Sequence, residues 1–229
     1  MTGFDPRRLV FALLAGAVMT TGAMLTADAA LAQGGKNSFG GYITPPSFNV
    51  ADQARITKAT TFLEGLKTAT GRFEQTDFHG RITKGNWYLE RPGKLRFDYD
   101  APSSLQLVSD GRNVSMWDPR LQTFDQFPLS ETPLSLFLSK QIRFDEGVIV
   151  TGVSSDSNGF SLKARDRRKQ IEGSVTISFN QAPDGSVSLK AWTIVDAQGR
   201  GTTVELVSFA RDSALRSGLF VLNKPQVKK

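Results

Sequence analysis

The chain has 229 residues, no cysteine, one histidine and a formal net charge of +6. Without cysteine it can form no disulfide, carry no lipid-modified cysteine and offer no thiol nucleophile, and one histidine leaves no second imidazole for a zinc site. The positive balance favours acidic partners or anionic head groups and says nothing of fold, while basic residues scattered among acids in a chain with an export signal argue against nucleic acid.

Residues 1–32 read as that signal. Arg7 and Arg8 give a basic start, the run from Leu9 to Val18 is apolar, and Ala30-Leu31-Ala32 before Gln33 has the small-x-small form of a signal-peptidase site. The apolar run is too short and too interrupted for a retained membrane span. Cleavage would leave 197 residues in the space outside the inner membrane, enough for one domain with one core. Residues 33–50, with "QGGKNSFGGYITPPSFN", are rich in Gly, Pro and polar residues and are expected to form a flexible leader, leaving 51–229 as the domain.

A helix is expected next, capped by Asn49 or Asp52, with Ile56, Ala59, Phe62, Leu63, Leu66 and Ala69 on one stripe and Gly71 as its stop. Beyond Gly71 the period changes to two. "RFEQTDF", "KGNWYLE", "KLRFDYD", "SLQLVSD", "NVSMWD" and "QTFDQF" read as short strands separated by His79-Gly80, Pro92-Gly93, Asp110-Gly111 and Asp118-Pro119. Such close spacing demands antiparallel neighbours, because a parallel crossover needs a dozen or more residues. "ETPLSLFLSK" interrupts the rhythm as a short helix, with Thr132 as cap, Pro133 at the first position, and Leu134, Phe137 and Leu138 on one face. Strands resume as "GVIVTGVSS", "GFSLKARD", "GSVTISFN", "SVSLKAWTIVD" and "TTVELVSFA", with hairpins at Asn158-Gly159 and Asp184-Gly185. The sum is mainly β with helices: one large, strongly bent antiparallel sheet, apolar on its inner face and covered by two helical pieces, with no second domain boundary.

Catalytic groups are scarce. His79 sits at a hairpin tip and reads as an exposed turn residue. Asp98 and Asp100 share a strand face, but the one opposite Leu95, Phe97 and Tyr99, so a solvated outer surface accounts for them better than acid–base work does. The glycines near Gly34 and Gly40 lack the strand–turn–helix setting of a phosphate loop. "KARDRRKQ", from Lys163 to Gln170, reads as a charged hairpin loop that discourages edge aggregation, with docking of an acidic partner or head group as its functional alternative. Leu95, Phe97 and Tyr99, together with Leu105 or Leu107, are by periodicity core residues of a half-buried sheet.

Several stretches carry a resemblance. "RFEQ" after the first helix, then "GNWYLERPGKLRFDYDAP", "LVSDGRNVSMWDP" and "TPLSLFL", in that order and spacing, resemble the periplasmic outer-membrane lipoprotein carrier family LolA. The likeness runs from Ala51 to Lys140 on Phe73, Gln75, Gly85, Arg91-Pro92, Phe97, Pro102, Ser109-Asp110-Gly111, Asp118-Pro119 and Thr132-Pro133. From Gly147 to Pro225 it is carried by strand rhythm and "LFVLNKP".

The resemblance implies an incomplete β-barrel closed by an N-terminal helix and a helical lid around an apolar cavity for lipoprotein acyl chains. It implies a monomeric, non-enzymatic shuttle in the periplasm, taking cargo from an inner-membrane ABC transporter release complex to an outer-membrane acceptor without cofactor, nucleotide or metal. By position, Leu95, Phe97, Tyr99 and Leu107 would line the cavity from the sheet and Leu63 and Leu66 from the first helix. Leu134, Phe137 and Leu138 would belong to the lid, and Arg91 would be a latch bonding to it. Leu95, Tyr99 and Ser135 depart from the side chains familiar at those positions. A second reading is an envelope lipid-binding sensor on the same fold, a class that usually carries an added C-terminal domain.

Overall fold

The computed structural model describes residues 46–132, 134–138, 148–167 and 173–224. The expected targeting segment, most of the leader, Pro133, and Arg168 to Gln170 of the basic run lie outside them.

Helix α1 spans Val50–Gly65 and is followed by β1 (Thr68–Thr76), β2 (Ile82–Glu90), β3 (Lys94–Tyr99), β4 (Gln106–Asp110), β5 (Asn113–Asp118) and β6 (Thr123–Pro128). A 3-10 turn (Leu129–Glu131) leads into α2 (Leu134–Leu138). Then come β7 (Val148–Ser155), β8 (Gly159–Asp166), β9 (Ser174–Gln181), β10 (Val187–Val195), β11 (Gly201–Leu206) and β12 (Ala210–Arg211). All pairings are antiparallel, in the order β6-β5-β4-β3-β2-β1-β11-β10-β9-β8-β7, with β12 beside the first half of β1. The two edges of this path, β6 and β7, are consecutive in the chain, and the segment that crosses from one to the other carries α2.

Asn49 caps α1 as expected, its Oδ1 accepting from Asp52 N at 2.8 Å, and Ala59, Phe62 and Leu63 form the buried stripe. The helix stops earlier than its periodicity suggests. Leu66 is already extended, and from Thr68 the backbone pairs with both β2 and β12, so Leu66 and Ala69 enter the core from a loop and a strand. Gly71 is therefore no helix stop; it lies inside β1, where a Cβ would come within 1.9 Å of Ser208 O and 2.8 Å of Trp87 Nε1. Gly85 of β2 has a similar role: a Cβ there would meet Asp98 O at 2.2 Å and the Phe73 ring at 2.7 Å. Its bare backbone lets Phe73 sit edge-on to Phe97 (4.8 Å between ring centroids) and Tyr99 (5.1 Å).

Three further expectations need correction. Thr132 caps α2 with its carbonyl, which accepts from Ser135 N at 3.0 Å, while its buried hydroxyl turns back to donate to Leu129 O. The basic run begins in β8 and not in a loop: Lys163 and Arg165 face out, and Ala164 and Asp166 are buried between them. Asp98 and Asp100 are ion-paired and not merely solvated. Arg96 Nε donates to both Asp98 oxygens at 2.8–2.9 Å, and Arg72 Nη1 donates to Asp100 at 3.0 Å, holding that carboxyl below the usual range.

Arg96 also fixes the chain's end. Its Nη1 donates to Leu219 O at 3.0 Å, and Leu219 and Phe220 pack with Val108, Tyr88 and Leu222 as a small second core on the outer face. At one end of the sheet, two hairpins repeat the sequence Asp-x-x-Gly-Arg, at Asp77 to Arg81 and Asp196 to Arg200. In each, the aspartate Oδ1 accepts from two loop N–H groups and Oδ2 from the arginine Nε at 2.6–2.7 Å. Arg200 lies over the Phe78 ring at 5.3 Å, tying the two tips together.

Two outcomes are expected. Gly71→Ala should lower unfolding stability in urea by about 1–3 kcal/mol, through steric overlap with a backbone carbonyl. Gly152→Ala, whose Cβ would meet only Lys163 Cβ at 3.9 Å, should change it by about 0.5 kcal/mol or less. Acid should also weaken the fold through Asp77. Burial pushes that carboxyl up, but hydrogen bonds from Arg81 and from His79 N outweigh it and leave it below its ordinary value. Its contribution is thus present above the unfolded carboxylate value of about 3.9 and is lost as pH falls through the lower folded one. A melting series from neutral pH down to acid should show Asp77→Asn less stable near neutrality and flatter in its acid limb.

Candidate functional site: the inner face and the lid

On β1, β2 and β3, alternation sends Ala69, Gly71, Phe73 and Gln75, then Thr83, Gly85, Trp87 and Leu89, then Leu95, Phe97 and Tyr99, to one face. All nine positions expected to line a cavity (Leu63, Leu66, Leu95, Phe97, Tyr99, Leu107, Leu134, Phe137 and Leu138) are buried in a single apolar cluster under that face. Phe137 of α2 stacks on Trp192 of β10 at 5.4 Å, and Trp192 lies 6.0 Å from Phe97, so the lid residue continues the aromatic row of the sheet.

Trp192, Phe73 and Gln75 belong to this site, although none was expected in it as a lining residue. A bulge in β10 hides Trp192 from periodicity: the register shifts between Leu189 and Ala191, so Leu189 and Trp192 both face the core despite opposite parity. The signal for Phe73 and Gln75 was their alternation with Ala69 in β1.

Helix α2 is held at its C-terminal end. A helix leaves its last carbonyls without intrahelical partners, and a cation there is favoured by the helix dipole. Arg91 supplies both needs. Its Nη1 donates to Phe137 O at 3.0 Å, its guanidinium lies 6.0 Å from the Phe137 ring centroid, and Gly93 N donates to Leu138 O at 2.9 Å. The turn that makes these bonds is itself fixed, by Arg91 N to Lys67 O at 2.8 Å and Ser109 Oγ to Gly93 O at 2.6 Å. Burial lowers the Arg91 pKa to about 10, against which Glu64 of α1 acts, so the group stays charged at neutral pH.

Among the described residues, Tyr99 places the only phenol of the inner face. Its hydroxyl donates to Gln75 Oε1 at 2.7 Å, and burial pushes its pKa upward. His79 is exposed at its hairpin tip, its ring 3.9 Å from that of Phe78. Among the described residues no group of three or more His, Cys, Asp and Glu side chains is placed to hold a metal, and no helix is long and apolar enough to cross a membrane. The arrangement sets a short helix over the apolar sheet face and bonds its end to the β2–β3 turn through Arg91 and Gly93.

The sequence model of the family described as outer membrane lipoprotein carrier protein LolA matches residues 64–223. An outer-membrane lipoprotein carrier protein of Pseudomonas fluorescens Pf-5 is 29% identical over 189 residues, spanning 77% of this chain and 87% of that protein. The corresponding protein of Pseudomonas syringae pathovar syringae B728a is 27% identical over the same spans, 77% and 87%. A solved LolA superfamily protein from Nitrosomonas europaea aligns with a TM-score of 0.44 at 9% identity, covering 75% of this chain and 97% of that one. The family match runs from the end of α1 through both wings of the sheet (β1–β6 and β7–β11) to the second core on its outer face, and the chain belongs to the LolA family of lipoprotein carriers.

Proposed function

We propose that this protein is a periplasmic shuttle that takes the acyl chains of lipoproteins between its inner sheet face and α2. On this reading cargo comes from an inner-membrane ABC transporter release complex and is handed to an outer-membrane acceptor. The observation that carries the reading is the fastening of α2. A lid that fills the apolar space with Phe137, and is tied by Arg91 and Gly93 to one turn, competes with cargo for the same surface.

Competition of this kind suits a carrier. Burial is worth roughly 0.8 kcal/mol per methylene, so a rigid open cavity would hold a long acyl chain too tightly to pass it on. When binding requires the lid to open, the cost of opening is subtracted from affinity. The half-buried charge of Arg91 adds to this balance. Its bond to the Phe137 carbonyl favours closure, and its desolvation opposes it, so neither state is deeply favoured. The family description names a carrier, which supports this reading.

Replacing Arg91 by Leu removes a charged hydrogen bond of roughly 1.5–3 kcal/mol from the closed state. Cargo affinity should rise by about tenfold or more, and release to the acceptor should fall correspondingly, measured as transfer of labelled lipoprotein from a preformed complex. Undiminished transfer would remove the latch role. Mass spectrometry of the protein purified from its own envelope should identify an acylated lipoprotein; free phospholipid alone would point to a different lipid-binding role.

A further inference from the structure

Five buried side-chain atoms among the described residues have no hydrogen-bond partner in the protein: Gln75 Nε2, Thr83 Oγ1, Thr123 Oγ1, Trp192 Nε1 and Thr202 Oγ1. Four of the five are neighbours on the inner face. Thr83 is directly opposite Gln75, Gln75 opposite Val204, and Val204 opposite Trp192, so β2, β1, β11 and β10 contribute one row across four strands. Thr202 lies two residues from Val204 on the same face of β11, opposite Ile194. Gln75, Trp192 and Thr202 are each no more than 1% exposed.

A buried donor without a partner destabilises a fold, and native proteins keep few of them. Three or four in one row is a pattern that asks for an acceptor. Its chemistry is narrow. Trp192 Nε1 can only donate, and the Gln75 amide has given its oxygen to the Tyr99 hydroxyl, so the free side of the row presents N–H groups and hydroxyls. The surrounding inner-face side chains, Phe73, Phe97, Tyr99, Val204 and Ile194, are uncharged, which disfavours an anion and suits a neutral acceptor. Phe137 stacks on Trp192, so displacing the lid uncovers the row, and Thr83 also lines a surface groove of about 430 Å³ beside the β3–β4 loop.

We propose that this row, Gln75, Thr83, Thr202 and Trp192, seats the ester and amide carbonyls by which acyl chains are joined to cargo, while the apolar cluster takes the chains themselves. This rests on the lipoprotein-carrier reading and deepens it: carbonyl recognition would fix how far the chains enter. Gln75 and Trp192 are two strands apart, about 10 Å, a span over which a diacylglyceryl group can place more than one carbonyl.

The test uses two synthetic probes, a cysteinyl peptide with a dipalmitoyl-glyceryl thioether and its analogue with hexadecyl ethers in place of the esters. Titration calorimetry on the full chain should show the diester bound about tenfold or more tighter than the diether. Trp192→Phe, and Gln75→Leu combined with Tyr99→Phe, should each lower diester affinity by about tenfold more than they change diether affinity. The double variant should melt no lower than the parent, because it removes an unpaired buried donor. Equal binding of the two probes by the parent, or equal loss of both in the variants, overturns the carbonyl seat and leaves the carrier reading standing. Binding of neither probe by the parent overturns the carrier reading and the seat together.

Discussion

The governing constraint is a sheet with one apolar face and two free edges that the chain itself joins end to end. From β1 the strands step outward to β6, the chain crosses with α2 to the opposite edge at β7, and the strands step back until β11 meets β1. Burial of the inner face therefore depends on the crossing segment as well as on α1. Among the described residues of that segment, α2 enters no strand ladder: it buries Leu134, Phe137 and Leu138 in the core and is bonded at its C-terminal end to the β2–β3 turn.

Much of this was legible in the sequence because both signals were local. Alternation located eleven of the strands to within a few residues, and the Pro, Gly and Asn turn residues located the hairpins. The nine apolar positions expected to line a cavity, and Arg91, were named through resemblance; the structure gathers the nine into one buried cluster and sets Arg91 at the end of α2. What was not legible depended on partners distant in sequence. Gly71 is set by the backbone of Ser208, β12 pairs with the start of β1, and Leu219 packs onto the outer face beside Arg96 and Val108. Trp192 was missed for a different reason, a one-residue bulge that inverts parity.

At Arg91 two effects of burial oppose one another. The same enclosure that strengthens its hydrogen bond to Phe137 O also depresses its pKa, so bond and burial pull against one another. The polar row beneath the lid extends this economy of opposing terms. Under the proposal of a carbonyl seat, its unpartnered donors would be satisfied by an acceptor-bearing ligand.

The β1–β11 seam bears on how the molecule comes to exist. Each wing can assemble by successive hairpins, whereas the seam must bring Phe73–Thr76 against Thr203–Leu206 across nearly the whole domain. Closure of so large a loop is slow compared with hairpin formation. During that interval two half-sheets present the apolar faces that will later meet, and such transiently uncovered faces invite association with other apolar matter. The order in which the half-sheets, the seam and α2 form therefore sets how long those faces stay uncovered.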